Sequence, residues 1–238
     1  LSRPPTSRPP TSAAAPGTPA DYVARLPKFP KPPRPQKVAL DHEEGRAALY
    51  GRIPTGQKVA FLTIDDGWTK HPEALRLLRA AGVPVTLFLT TDAIRGNVGY
   101  FADLRDAGAD IEVHTVTHPH LPDLDYDGQR AELCGNADKL KQWYGKRPLY
   151  FRPPYGEYDD DTLRAAWDCG LRAGFLWRET VDGGVVRYQT AEKVIRPGDI
   201  VLMHFRPAYP EDFIAALTAM KRSGLVPARL TDYVAPVT

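Results

Sequence analysis

Cysteine is scarce in this chain: Cys134 and Cys169 stand alone among 238 residues, and no CxxC spacing occurs. That excludes a disulfide-built scaffold and a cysteine zinc cluster. Each cysteine falls in a segment read as helical, which leaves two readings open, one disulfide in an oxidising compartment or two buried thiols. No apolar run reaches about 18 residues, so nothing in this sequence is expected to span a bilayer. Basic charge is lacking where a nucleic-acid surface would need it. Residues 1–37 hold seven of the 31 Lys and Arg but one of the 29 Asp and Glu, leaving 24 basic and 28 acidic groups for the rest. A mildly acidic body argues against nucleic acid as a partner. The chain opens on Leu1, without the basic, apolar and small-residue regions of a signal peptide, so removal of an upstream segment is the expectation.

Proline is abundant and unevenly spread. Eleven of the 24 prolines lie within residues 1–35, among Ser, Thr and Ala and with few aliphatic side chains to bury. The expected division is a Pro-rich spacer over residues 1–36, extended or disordered, and one catalytic domain over 37–238. With 42% hydrophobic and 25% charged residues the chain has the composition of a soluble globular domain with one sizeable core. No internal repeat is visible.

From residue 37 short apolar runs alternate with helical patterns, which predicts an α/β fold with mainly parallel strands. Strands are predicted over 58–64, 84–89, 110–113, 149–151, 171–177, 199–203 and 226–230. Helices are predicted over 71–81, 100–107, 127–144, 159–169 and 210–222. Four of these strands run directly into groups suited to chemistry: Asp65 and Asp66, His114, Arg152, and His204. In a barrel of parallel strands those ends share the face on which such folds build their sites.

Adjacent carboxylates at the end of an apolar strand repel one another unless a cation lies between them. His114 and His118 are four apart, a spacing that lets two imidazoles reach one ion. Two His and one Asp leave coordination positions open, as a catalytic metal requires. Each signal is weak by itself. An Asp-Asp-Gly triplet is common in turns, a His-x-x-x-His pair also fits two surface imidazoles, and Arg152 before Pro153 and Pro154 also fits a stiff surface loop. A lone His after an apolar run, such as His204, is usually a hydrogen-bonded core residue. His42, His71 and His120 lie in polar surroundings and receive no role.

In order, Thr63-Ile64-Asp65-Asp66-Gly67, His114-Thr115-Val116-Thr117-His118, Arg152-Pro153-Pro154-Tyr155-Gly156 and Leu202-Met203-His204 resemble the successive motifs of the polysaccharide deacetylases, carbohydrate esterase family four or the NodB-homology domain. The resemblance spans residues 57–235. It implies a distorted (β/α) barrel of seven or eight strands and a divalent metal, commonly zinc with cobalt or nickel tolerated. Carried over by motif, Asp66, His114 and His118 are implied as metal ligands, Asp65 as the general base and His204 as the acid that protonates the leaving amine. The backbone N–H of Tyr155 is implied as an oxyanion donor, and Arg152 as the group that fixes Asp65 by a charged hydrogen bond.

Three departures from the family pattern stand out. Ile64 replaces the usual Phe, and Trp68 replaces the usual Pro. The fourth motif falls at Thr180-Val181-Asp182-Gly183-Gly184 without its Trp, and Asp182 is displaced by one position from the Asp that usually steadies the His or Arg. Trp68 is then the candidate to supply the missing aromatic wall. The resulting expectation is a secreted or cell-surface, monomeric, metal-dependent hydrolase, tethered by a segment upstream of residue 1. It would remove acetyl groups from N-acetylated glycans: peptidoglycan, chitin-like oligomers or exopolysaccharide. The alternatives are an O-acetyl esterase acting on acetylated xylan, and a catalytically impaired, carbohydrate-binding relic of the fold.

Overall fold

Ten strands form the frame of the computed structural model, which describes residues 18–39 and 43–235. They are β1 (Ala48–Tyr50), β2 (Val59–Asp66), β3 (Thr86–Leu89), β4 (Asp110–Val113), β5 (Tyr150–Phe151), β6 (Ala173–Phe175), β7 (Glu179–Asp182), β8 (Val185–Tyr188), β9 (Ile200–His204) and β10 (Val226–Pro227). The sheet order is β1-β6-β5-β4-β3-β2-β9-β7-β8, with β10 joined to β2, and every pairing is parallel except the β7–β8 hairpin. Its end strands β1 and β8 do not pair among the described residues, so the distorted barrel takes the form of a curled half-barrel. The helices are α1 (Pro19–Ala24), α2 (Ala74–Ala81), α3 (Thr91–Ile94), α4 (Val98–Asp106), α5 (Tyr126–Tyr144), α6 (Asp160–Asp168) and α7 (Tyr209–Arg222).

The central strand β2 shows why the sequence reads as it does. Val59 to Asp65 are all buried, the near-continuous apolar run of a parallel strand covered on both faces. Alternation sends Ala60, Leu62 and Ile64 to the helix-covered core and Val59 and Phe61 to the inner face, where Phe88, Tyr150, Phe175 and Tyr233 join them. Thr63 and Asp65 continue that inner row upward. The helix ends carry the expected signals: Asp125 caps α5 by accepting from the Gly128 N–H, and Asp159 and Thr162 form a capping box on α6. A Cys134–Cys169 disulfide ties α5 to the end of α6, choosing between the two readings of the cysteines.

The expected boundary at residue 36 is corrected. Thr18 and Asp21 form a capping box that starts α1, Tyr22 is buried, and its hydroxyl donates to Glu211 at 3.0 Å. Leu26 and Phe29 pack on the same core, and the carbonyl of Arg34 accepts from Gln57 Nε2 at 3.0 Å. Residues 18–35 are therefore part of the folded body; residues 1–17 of the expected spacer, and His42, lie outside the described residues. Further elements absent from the expectation are β1, the short helix α3 and the β7–β8 hairpin. The last predicted strand, over 226–230, shortens to β10, and a 3-10 turn follows over Leu230–Tyr233.

Candidate active site

The strand ends of β2, β4 and β5 bring together the residues that the sequence singled out. Asp66 Oδ1 lies 3.4 Å from His114 Nε2 and 3.3 Å from His118 Nε2. Strict alternation would send Asp66 to the helix side with Ile64. Its left-handed backbone, φ 75°, turns the carboxylate toward the imidazoles instead. Asp66 leads into Gly67, whose φ of 105° and close approach to Ile94 leave no room for a side chain: a Cβ there would sit 2.5 Å from Ile94. Asp65 keeps the inner-face direction, and its Oδ1 accepts from Arg152 Nη1 at 2.6 Å while Oδ2 lies 3.7 Å from His114 Nε2.

Arg152 is fully buried and hydrogen-bonded through all three guanidinium nitrogens. Besides Asp65 it donates to Thr63 Oγ1 (2.9 Å) and to the carbonyls of Phe175 (2.7 Å) and Leu176 (3.1 Å), with Phe88 4.3 Å and Trp177 5.6 Å from its Cζ. Its own carbonyl accepts from His114 Nδ1 at 2.7 Å, which leaves Nε2 of His114 free to face Asp66. His204 ends β9 in register with Asp65.

The loop between the two histidines is held from α5. Glu132 accepts from the N–H groups of Val116 (2.8 Å) and Thr117 (2.9 Å) and from the Thr117 hydroxyl (2.8 Å). One turn on, the fully buried Asn136 donates to the carbonyls of Leu89 (3.0 Å) and Thr115 (2.6 Å) and to Thr91 Oγ1 (2.7 Å). Sequence reasoning missed both residues. Their signal was present: polar groups four apart beside the apolar stripe of Leu133, Ala137 and Leu140.

Backbone strain concentrates here. Among the described residues, Asp66, Thr115, His118 and Tyr155 are the non-glycine positions with left-handed φ, at 75°, 69°, 65° and 59°. Each costs about 1 kcal/mol or more and persists because the surrounding bonds determine it.

Charge is arranged with equal care. Burial resists ionisation of Asp66, but the neighbouring imidazoles of His114 and His118 outweigh it and hold the carboxyl well below the usual carboxylate range. Burial also resists a charge on His114, and the carboxylates of Asp65 and Asp66 overcome it and raise the imidazole. For His204 burial wins and depresses the imidazole against the pull of the same two carboxylates.

These residues fit a cation. Asp66 Oδ1 is buried and has no hydrogen-bond partner, an orphan that an ion would satisfy. Ligands about 2.0–2.1 Å from a tetrahedral zinc stand about 3.3–3.4 Å apart, the spacing found between Asp66 and each imidazole. One carboxylate and two imidazoles leave further positions open.

Two expected contributors, Asp182 and Trp68, sit differently. The Tyr155 N–H meets no acceptor among the described residues. Its ring is exposed and packs edge-on against His118 (4.8 Å) and flat on His120 (4.1 Å), which in turn bonds Glu157. His120, given no role from sequence, thus lies beside the site. Asp182 touches neither Arg152 nor His204. It ends β7 at the Gly183–Gly184 hairpin turn and pairs with Arg206 at 2.8 Å and Arg187 at 3.7 Å, so it does not steady the site. Trp68 is 54% exposed and makes no ring contact with these groups; the aromatic wall beside Arg152 is built from Phe88 and Trp177.

A curled parallel sheet gathers at its strand ends an Asp-His-His group that could hold a metal ion, beside an arginine-held carboxylate. The chain belongs to the polysaccharide deacetylase family, whose model matches residues 52–174, just over half of it. The family comprises hydrolases acting on acetylated carbohydrates and is generally metal-dependent. An uncharacterized protein of Streptomyces coelicolor is 43% identical over 166 residues, covering 68% of this chain and 67% of that protein. A peptidoglycan-N-acetylglucosamine deacetylase of Bacillus cereus is 27% identical over 161 residues, covering 64% and 75%. Among solved structures, a variant of a Bacillus anthracis pseudoenzyme of carbohydrate esterase family 4, with restored enzymatic activity, superposes with a TM-score of 0.69 at 25% identity, covering 78% of this chain and 71% of that one.

Proposed function

We propose that the protein removes N-linked acetyl groups from an amino-sugar glycan outside the cytoplasm, with a zinc-class divalent ion held by Asp66, His114 and His118. The observation that carries this reading is the pairing of an orphaned Asp66 Oδ1 among two imidazoles with a second carboxylate, Asp65, held separately by Arg152. The bound ion supplies a Lewis acid and lowers the pKa of water. Asp65, its Oδ1 occupied by Arg152, takes the proton of the attacking water at Oδ2. The Tyr155 N–H donates to the oxyanion of the tetrahedral intermediate. His204, which ends β9 in register with Asp65, delivers a proton to the leaving amine. An extracellular setting is supported by the Cys134–Cys169 disulfide, and an amino-sugar substrate by the peptidoglycan deacetylase relative.

The reading is tested by acetate release from N-acetylglucosamine oligomers and from acetylated xylan, before and after chelation and zinc readdition. Zinc-dependent release from the amino-sugar oligomers, well above that from xylan, is expected. Release indifferent to chelation removes the metal role, preference for xylan moves the assignment to an O-acetyl esterase, and no release with retained glycan binding identifies a binding relic.

A further inference from the structure

Away from the candidate active site, an open groove of about 910 Å³ lies between β8 and α7. Its apolar lining comes from Ile214, Ala215 and Ala219 of α7, from Val185 and Val186 of β8, and from Val194. Val185 and Val194 are exposed, so apolar surface lies bare here. Three cations, Arg25, Lys193 and Arg222, also line the groove. They are exposed, and none meets a carboxylate at ion-pair distance among the described residues. The one carboxylate in the lining, Glu211, already accepts from the Tyr22 hydroxyl at 3.0 Å. The groove is apolar within and cationic around.

One wall is an open sheet edge. β8 is an end strand, paired with β7 alone. Its register fixes which backbone groups are spare. Across the two-residue turn Gly183–Gly184, Asp182 and Val185 form the first hydrogen-bonded pair, so Val185 and Arg187 direct their N–H and C=O groups to β7. Gln189 continues that series by donating to the Arg178 carbonyl at 3.1 Å. Val186 and Tyr188 therefore direct theirs away from β7, and neither N–H meets an acceptor among the described residues. The edge is held firmly, because the Gly184 N–H donates to the buried Asp212 of α7 at 2.7 Å and the side chains of Val186 and Tyr188 pack on the main core. No proline or bulge blunts it.

We infer that this groove takes an extended acidic segment of a protein partner, added to β8 as a further strand. The spare groups of Val186 and Tyr188 call for a peptide backbone, and the apolar lining calls for apolar side chains at alternate positions. Arg25, Lys193 and Arg222 call for Asp or Glu between and beside them. Charge argues against two other occupants. Residues 1–17 of the chain carry Arg3 and Arg8 and no carboxylate, so they oppose the cations of the groove. A second copy packed about a two-fold axis would bring the same three cations against their equivalents. The surface stands independently of the deacetylase reading.

The test titrates the full chain, by fluorescence anisotropy, with a labelled peptide in which Glu and Val alternate over seven residues. Three controls share its length: one with Lys for Glu, one with Gly for Val, and one N-methylated at every backbone nitrogen, which cannot donate to β8. The Glu-Val peptide is expected to bind about tenfold or more tightly than each control. Lys193→Glu combined with Arg222→Glu lowers its affinity about tenfold and raises that of the Lys-Val peptide. Bound peptide slows amide hydrogen exchange at Val186 and Tyr188, a readout that charge attraction alone would not move. Equal binding of the Gly or N-methylated control, unchanged exchange at those two amides, or no binding of the Glu-Val peptide overturns the proposal. Self-association of the wild-type chain in sedimentation, abolished by Val185→Lys, would also overturn it by giving the groove to a second copy.

Discussion

Two buried groups of carboxylates sit at opposite ends of the strands. At the C-terminal ends, Asp65 and Asp66 face Arg152, His114 and His118, and Asp66 is held well below the usual carboxylate range. At the other end, Glu179 enters β7 beside Asp199, which leads into β9, and the Arg52 guanidinium reaches Asp199 at 3.5 Å. Glu179 has no ion pair among the described residues, one of its oxygens lacks any partner, and burial together with Asp199 pushes it up to about 8. Burial and a neighbouring carboxylate therefore favour the uncharged form of Glu179, whereas Asp66 keeps its charge beside the imidazoles brought to it. Strain divides the same way, since all four left-handed non-glycine residues described belong to the C-terminal end. One end trades stability for a poised site, and the other does not.

The strongest way to break this contrast is to remove the cation at the charged end. Arg152→Met leaves Asp65 buried without its partner and also strips Thr63, Phe175 and Leu176 of their donor. A loss of about 3–5 kcal/mol is expected, read as a fall of about 10 °C in melting temperature, together with loss of acetate release. A melting temperature within about 2 °C of wild type would show that the pair is not what keeps Asp65 in place. Asp66→Gly separates function from stability. Glycine accepts the left-handed backbone without strain, which offsets part of the lost attraction between the carboxylate and the imidazoles of His114 and His118, so the ion-free variant should stay within about 1 kcal/mol of wild type in denaturant unfolding. Acetate release should fall by about 10³-fold or more as an ion ligand is lost. A variant that is both active and destabilised would contradict the assignment of Asp66 on both counts.

Much of the charged end was legible in the sequence because its signals are local. Strands announce themselves by apolar runs, and a polar group directly after such a run, as with Asp65, His114, Arg152 and His204, is placed at the strand's end by chain geometry alone. Asp110–Val113 falls where the pattern put it, and the other shared elements differ by a few residues at their ends. The misses have two causes. In α1 and the β7–β8 hairpin a local signal was present but overruled: Thr18 and Asp21 spell a capping box inside a Pro-rich stretch, and Gly183–Gly184 is a two-residue turn between short β-rich runs. Because the hairpin was missed, Asp182 was credited to the site instead of to Arg206. The rest is non-local. That Glu132 and Asn136 hold the histidine loop, or that Trp177 and not Trp68 walls Arg152, depends on which helix lies over which strand.

The smallest effect belongs to the neutral end and tests whether it is neutral. Below about pH 4.5 the Glu179 carboxyl is protonated in folded and unfolded chains alike, and its preference for the folded interior counts in full. As the pH rises toward 8 the unfolded chain releases this proton while the folded chain retains it, so stability declines across that interval. Glu112, also pushed up to about 8 by burial, contributes a decline of the same sign. Glu179→Gln keeps the shape and removes one of the two titrations. Denaturant unfolding of the variant should therefore lose less stability between about pH 6 and pH 8 than the wild type, by on the order of 2 kcal/mol, with zinc-dependent acetate release intact. Parallel pH dependence in the two proteins would mean that Glu179 is already ionised when folded. Burial at that end would then not suffice to neutralise it, and the contrast between the two ends would rest on strain alone.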